Sequence, residues 1–481
     1  MNEFSMPRRR TFAAGALGVA LTSMIASPAG AQHGAAPAAE PKQAPSWYDR
    51  APLTVGTGEG RQRWALTFYG FVEADVIVDS TRSYGDAIGT SLVARSDTYP
   101  GNVGRTQFTM RNTRLGLKLE SPLIAGFLPS ALLEGDFYGP PAEHASESAT
   151  YSSPTFRVRQ AYLSLESAYV SVLAGQTYDV FGWQNHFFPC SAEFLGLPNQ
   201  VFSRNTQFRL SHTFGVNGPV SVDVAAAAVR PAQRDSGIPD AHAGVRLGLP
   251  RLQGISTPGS SGTRAVPLSL GISGVFRRFR VNAFTPPPAQ TSNTANGWGV
   301  SIDALIPVIP ARDANDRGNR LTLTGSFVTG SGIGDLLTAT GGADFPTLPN
   351  PAQANPPPEY EANVDPGLVS FDTQGVLHTI DWQAFRAGLE YHLPPSGRVT
   401  VAANYSQAFS KNMDKLFPQG GAEIELLGRV ADTSRYADVN VFWDATPAAR
   451  FGLSGQYTEV AYLDGDQPHN LRGMALALYA F

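Results

Sequence analysis

The stretch His469-Asn-Leu-Arg-Gly-Met-Ala-Leu-Ala-Leu-Tyr-Ala-Phe481 decides the reading of this chain. It alternates small or apolar residues with others and stops on an aromatic side chain, with Tyr479 two positions before Phe481. The last residues of a soluble domain are usually frayed and polar. A strand that ends this way fits a membrane interface, where Tyr479 and Phe481 would stand in an aromatic girdle. It fits better still if it pairs with the first strand and closes a barrel, because each unpaired backbone group in lipid costs several kcal/mol.

Composition agrees. Of the 481 residues, 42% are hydrophobic and only 16% charged, against about 25% charged in an average soluble domain. Past the N-terminal region no apolar run reaches the ~18 residues of a spanning helix. A sheet in lipid gives this composition, since only alternate residues touch hydrocarbon. The single cysteine, Cys190, allows no intrachain disulfide and reads as incidental. The formal charge is −4, and removal of residues 1–31 (three Arg, one Glu) makes it −6, which offers no basic surface for nucleic acid.

Met6-Pro-Arg-Arg-Arg10, the apolar run Phe12 to Ile25 and Ala29-Gly-Ala31 form a signal peptide over 1–31, with cleavage expected near Ala31. Arg9-Arg10-Thr11-Phe12 also matches a twin-arginine pattern, which exports folded cargo and would suit a soluble periplasmic protein. Residues 32–63 are Ala/Pro-rich and read as a disordered periplasmic linker. Residues 64–481 read as one barrel domain.

Period-2 alternation starts near Ala65. Phe68, Gly70, Val72, Ala74, Val76 and Val78 share one face, and Tyr69, Phe71, Glu73, Asp75, Ile77 and Asp79 the other. Strands are expected near 65–79, 106–120, 127–138, 155–166, 169–179, 205–214, 219–230, 240–249, 266–284, 296–306, 319–330, 376–393, 398–409, 430–445, 449–463 and 469–481. The fold class is therefore all-β: a transmembrane antiparallel β-barrel of about sixteen strands. Connections after odd strands are long and those after even strands short, which puts long loops outside and short turns in the periplasm. The connections at 250–265 and 307–318 are longer than that pattern wants, and 331–375 reads as a long surface loop.

No catalytic motif such as H-E-x-x-H, G-x-S-x-G or a P-loop occurs, and the eight His lack metal-ligand spacing. The reading is of a non-enzyme without metal or cofactor. A soluble ligand-binding β protein and an outer-membrane hydrolase are the alternatives. The informative charges lie within strands. Arg114, Lys118, Arg209, Arg246 and Arg386, with Glu73, Asp75, Glu134, Asp136 and Glu390, oppose apolar neighbours and should face a wet lumen, because a midplane Arg or Lys in lipid costs roughly 2–4 kcal/mol. Such charges either select solutes or brace the wall by pairing. Arg157 and Arg159 share the parity of Ala161, Leu163 and Leu165, so they reach the lumen only through a bulge or above the lipid. The 180–204 connection carries Trp183, His186, Phe187, Phe188 and Glu193 and is too aromatic for a solvated loop. It either folds into the barrel as a constriction or packs on a neighbouring subunit.

Tyr69-Gly-Phe-Val-Glu-Ala-Asp75, Arg111-Asn-Thr-Arg-Leu-Gly-Leu117, Glu134-Gly-Asp-Phe137, Arg157-Val-Arg-Gln-Ala-Tyr-Leu163 and Gly175-Gln-Thr-Tyr-Asp179 resemble the DcaP-like outer-membrane porins, most densely over 65–185. The terminal Phe481 is similar to the C-terminal residue of outer-membrane barrels, which the barrel-insertion machinery meets. The resemblance implies a homotrimer of sixteen-stranded barrels. It also implies passive uptake of small anionic, dicarboxylate-like solutes over an arginine-lined pore, and it strengthens Arg114, Arg157 and Arg159. The short Pro/Ala linker departs from members with a long helical extension, so no coiled-coil stalk is expected.

Overall fold

A computed structural model describes residues 53–481 other than 59–61, 90, 141–145, 147–153, 217, 233–235, 260–261, 283–290, 314, 339–366, 373–375 and 417–429. The expected signal peptide and most of the linker, residues 1–52, lie outside the described residues.

Sixteen antiparallel staves close on themselves. In chain order they are β1 (Trp64–Asp79), β2 (Arg105–Thr109 with Arg114–Glu120), β3 (Leu128–Gly139), β4 (Thr155–Glu166), β5 (Ser171–Tyr178), β6 (Arg204–Phe214), β7 (Ser221–Val229) and β8 (Asp240–Ser256). They continue as β9 (Arg264–Asn282), β10 (Ser292–Ile309), β11 (Arg320–Ser331), β12 (Asp381–His392), β13 (Val399–Ser410), β14 (Ala431–Asp444), β15 (Ala449–Tyr462) and β16 (His469–Ala480). Each pairs with the next, and β16 pairs with β1 from Phe71↔Ala480 to Asp79↔Arg472.

The seam is reinforced at both ends. Phe481 and Gly70 exchange two backbone hydrogen bonds of 3.0 and 3.1 Å, and the Phe481 ring stacks on Phe68 at 5.2 Å. Arg472 donates to Asp79 across the seam at 2.7 Å. β1 extends beyond the end of β16, and Leu53–Thr57 pairs with that free edge, from Leu53↔Phe68 to Thr57↔Trp64. Part of the stretch read as disordered linker is thus a strand, and it covers an edge that lipid would not tolerate.

The alternation sorts the faces as expected. Glu73, Asp75 and Asp79 are buried inside, whereas Val72, Val76, Val78, Phe208, Ile272, Leu453 and Tyr479 stand exposed on the outer wall. A continuous apolar wall of this kind is stable only against hydrocarbon.

Three sequence expectations change. The connections at 250–265 and 307–318 are shorter, because β8 and β10 run to Ser256 and Ile309. Their ladders slip at Leu249/Gln253 and Pro307/Ile309, where Pro250 and Pro307 remove ladder donors and hide the period. The 376–393 stretch is a short strand, Leu377–Thr379, followed by β12. The third concerns 331–375. Its described ends are not a surface loop, since Leu336, Leu337, Leu368 and Val369 are buried inside the barrel mouth.

Replacing Leu453, 64% exposed on the outer face of β15, by Arg should weaken folding into lipid vesicles by about 2–4 kcal/mol in urea titrations. An unchanged midpoint would show that this face is not in hydrocarbon.

Candidate functional site

The 179–203 connection enters the lumen and crosses it. Its residues from Val180 to Val201 are almost all buried. The wall makes room with small residues. A Cβ at Gly244 would stand 2.8 Å from Trp183, one at Gly271 2.9 Å from Phe187, and one at Gly299 3.0 Å from Phe181. Ala225 and Ala227 complete this bay.

Polar clamps then fix the loop. Arg386 donates to the Phe187 carbonyl at 2.8 Å, and Arg246 bridges Asp223 at 2.7 Å while also bonding the His186 ring. Burial, with Arg246 and Arg264 alongside, holds His186 well below the ordinary imidazole value, so the ring is neutral and can accept from Arg246. On the far wall Ser191 donates to Asp438 at 2.6 Å, Asn404 donates to the Cys190 carbonyl at 2.8 Å and Ser406 donates to the Pro198 carbonyl at 2.7 Å. Above the loop, residues from 80–104, 332–338 and 411–416 pack with it into one apolar core that includes Tyr84, Phe181, Leu197, Leu336 and Met413. The connection thus lies inside the barrel, against its inner wall.

This filling divides the inner wall. The inward side chains of β8–β16 are nearly all buried, whereas on β2–β7 several remain partly accessible. Side-chain exposure is 19% for Arg114 and 27% for Arg157, and 17% for Lys118, which pairs with Glu120 at 2.9 Å. The partly accessible inner wall therefore lies mainly on β2–β6.

An arginine cluster stands on that strip. In the β3/β4 ladder Glu134 pairs with Gln160 and Gly135 with Val158, so Arg159 is the extra residue of a bulge. The bulge turns Arg157 and Arg159 inward, as their outward parity required. Arg159 bonds Glu134 at 3.1 Å and Asp136 at 2.7 Å, and donates to Tyr178 Oη at 3.0 Å. Arg157 forks onto Asp136 at 3.0 and 2.7 Å. Arg114 lies 4.0 Å from Glu134 and 5.2 Å over the Phe71 ring. Arg204 lies over Tyr178 and Phe202, at 5.5 and 5.3 Å. Phe188 packs edge-on against the same two rings. Four guanidinium groups thus face two carboxylates. Arg114 Nε and Arg204 Nη1 have no hydrogen-bond partner among the described residues.

The other sequence candidates are inward but brace the wall. Arg209 is spent on Gln207 and the Tyr178 carbonyl, and Arg246 and Arg386 hold the loop. Glu73 accepts from Asn112 at 2.8 Å, and Asp75 is buried beside it. Glu390 accepts from Thr257 at 2.6 Å. Sequence reasoning missed Arg204, whose parity matches the outward Phe208 and Leu210, and Arg111, which sits in the turn that splits β2 and bonds Asp86 at 3.0 Å.

Glu193 is the loop's acidic contact with the seam. Its Oε1 accepts from the Ile88 amide at 3.2 Å and its Oε2 lies 3.9 Å from Arg472. Burial pushes its carboxyl up to about 7, against the opposing pull of Arg472 and with Asp79 adding to the rise.

No protein-family model matches the sequence, and no curated protein matches it. Among solved structures, the outer membrane channel DcaP of Acinetobacter baumannii superposes with a TM-score of 0.59 at 17% identity, over 87% of this chain and 97% of that one. An anion-selective porin from Comamonas acidovorans gives 0.48 at 10% identity, over 87% of this chain and all (100%) of that one. Pseudomonas putida OprB gives 0.47 at 11%, over 86% and 94%. The first of these establishes the likeness at the level of fold.

Arg159→Leu should destabilise the barrel by about 3–5 kcal/mol in urea unfolding, since two buried carboxylates lose their shared partner; a loss below 1 kcal/mol, on the scale of an exposed pair, would contradict the geometry. For Glu193 the docked carboxyl titrates above its free value of 4.5. Its contribution to loop docking is complete below that value and lost as pH rises through about 7. Stepwise closures of single channels should become more frequent across that window. Glu193→Gln should remove the dependence, and a wild-type record that does not change with pH would exclude Glu193 as a clamp.

Proposed function

We propose that this chain is an outer-membrane diffusion channel for small anionic, dicarboxylate-like solutes. The observation that carries the reading is the imbalance within the cluster on that strip, where, among the described residues, Arg114, Arg157, Arg159 and Arg204 face Glu134 and Asp136. In a narrow lumen with low-dielectric walls such an excess raises the local concentration of counter-ions. The site divides the work. Arg159 is saturated by two acids and fixes the cluster, while Arg114 and Arg204 keep donor capacity toward the path. A dicarboxylate passing Phe188 would exchange water for these donors at each end, with no covalent step and no cofactor.

The fold likeness to a channel supports the same reading. So does the outer wall, which no soluble ligand-binding protein could leave uncovered. The channel is read as exported by residues 1–31, inserted through recognition of the Phe481 terminus and assembled as a homotrimer, with long loops outside the cell.

Reversal potentials in a KCl gradient across planar bilayers test this. Wild type should prefer chloride over potassium, and Arg114→Glu and Arg204→Glu should each lower that preference, by up to about tenfold at low salt. The effect should shrink at 1 M salt, where the screening length is about 3 Å. Selectivity unchanged by both substitutions would remove the cluster from the conduction path.

A further inference from the structure

The outer surface carries a second set of arginines with a different environment. In Phe276-Arg-Arg-Phe-Arg280 on β9, Arg277 and Phe279 are buried inside, and Arg277 is consumed by Asp240 at 2.8 Å and Asp335 at 2.7 Å. The intervening Arg278 and Arg280 therefore point outward with Phe276. On β7 the buried Val229 sends the next residue, the exposed Arg230, outward as well.

The register places these groups together. Ala228, Ala241, Phe276 and Trp298 lie in one cross-strand row on β7–β10, and both aromatic rings are roughly half exposed (46% and 49%). One step nearer the long-loop end, Val229↔Asp240 continues to Arg230 and Pro239, and Arg278 pairs with Asn296. Arg230 and Arg278 are then two strand spacings apart, roughly 10 Å. Arg280, opposite Thr294, is one outward step further. No carboxylate occupies either row among the described residues. Elsewhere on the same rim the outward Arg435 of β14 is neutralised by Glu459 of β15.

We infer that the outer rim of β7–β9 is a binding surface for the phosphate groups of outer-leaflet lipid. Two features select this partner. The patch begins immediately above an aromatic row, which is where the headgroup layer meets hydrocarbon. Guanidinium forks also match phosphate oxygens in a bidentate way, so Arg230 and Arg278 can hold one phosphorylated headgroup between them while its acyl chains lie along Ala228, Ala241 and Phe276. The inference rests on the outer-membrane orientation proposed above.

The test uses the full chain folded in phosphatidylcholine vesicles with trace spin-labelled phosphatidic acid or spin-labelled phosphatidylcholine. The motionally restricted fraction should favour phosphatidic acid. Arg230→Gln and Arg278→Gln should each reduce that preference about fivefold, whereas Arg435→Gln should leave it intact. Equal preference in wild type and the double variant overturns the inference. So does displacement of the labelled lipid by inorganic phosphate at matched concentration, which would mark a free-anion site. Dissociation of the oligomer without a change in lipid preference overturns it too, because the patch would then be a subunit contact. Conductance of the same samples is read separately. A conducting wild type without lipid preference sinks only this inference, and a folded but non-conducting one sinks the channel reading.

Discussion

The closure of β16 onto β1 is the constraint on which the remaining structure depends. Hydrocarbon supplies no hydrogen bonds, so any strand edge left open in it would forfeit several kcal/mol per backbone group. The sequence meets this need at three places along one seam. The ladder from Phe71↔Ala480 to Asp79↔Arg472 satisfies the upper part, Phe481 extends it to Gly70, and Leu53–Thr57 covers what β16 is too short to reach. Asp79 and Arg472 add a buried ion pair with three further polar partners at hand, the arrangement in which the desolvation cost of a pair is best offset.

Once the cylinder is closed, its interior is too wide for side chains alone to fill, and the chain occupies it unevenly. Inward glycines and alanines on β7–β10 accept the aromatic residues of the 179–203 loop, and arginines from β8, β9 and β12 seize its carbonyls and ring nitrogens. The opposite sector, β2–β6, keeps several partly accessible inward side chains. Identical side chains therefore acquire different roles. Arg386 is a strut because it meets a backbone carbonyl, and Arg159 is a keystone because it meets two carboxylates. Arg114 and Arg204 are held less closely, the one 4.0 Å from Glu134 and the other over the Tyr178 and Phe202 rings. The number and kind of partners, rather than the presence of a guanidinium, separate one arginine from another.

The same accounting applies on the outside of the barrel. A charge facing outward is tolerated only at the level of the headgroups, where long side chains reach water or phosphate. Arg435 finds Glu459 there. Among the described residues Arg230 and Arg278 have no such neighbour on their rows, which sets that sector of the rim apart from the Arg435–Glu459 pair.

Period-2 alternation from Ala65 onward determined the strand count, the inward placement of Glu73, Glu134 and Arg114, and the identity of the last strand, because a pleated strand forces side chains to opposite faces whatever lies across from them. The aromatic density of Trp183, Phe187 and Phe188 likewise marked a loop that could not be solvated. Two of its three rings are buried outright, and Phe188 is half-buried against Tyr178 and Phe202. What alternation cannot express is any departure from itself. The bulge that turns Arg159 inward, the split in β2 that buries Arg111, the proline slips in β8 and β10 and the inward swing of Arg204 each break the period locally. Which inward charges are covered and which are wet was also invisible, since that depends on where a distant loop comes to rest. Covalent geometry fixes the faces of a strand one residue at a time, and only the folded chain decides which parts of the inner face keep their water.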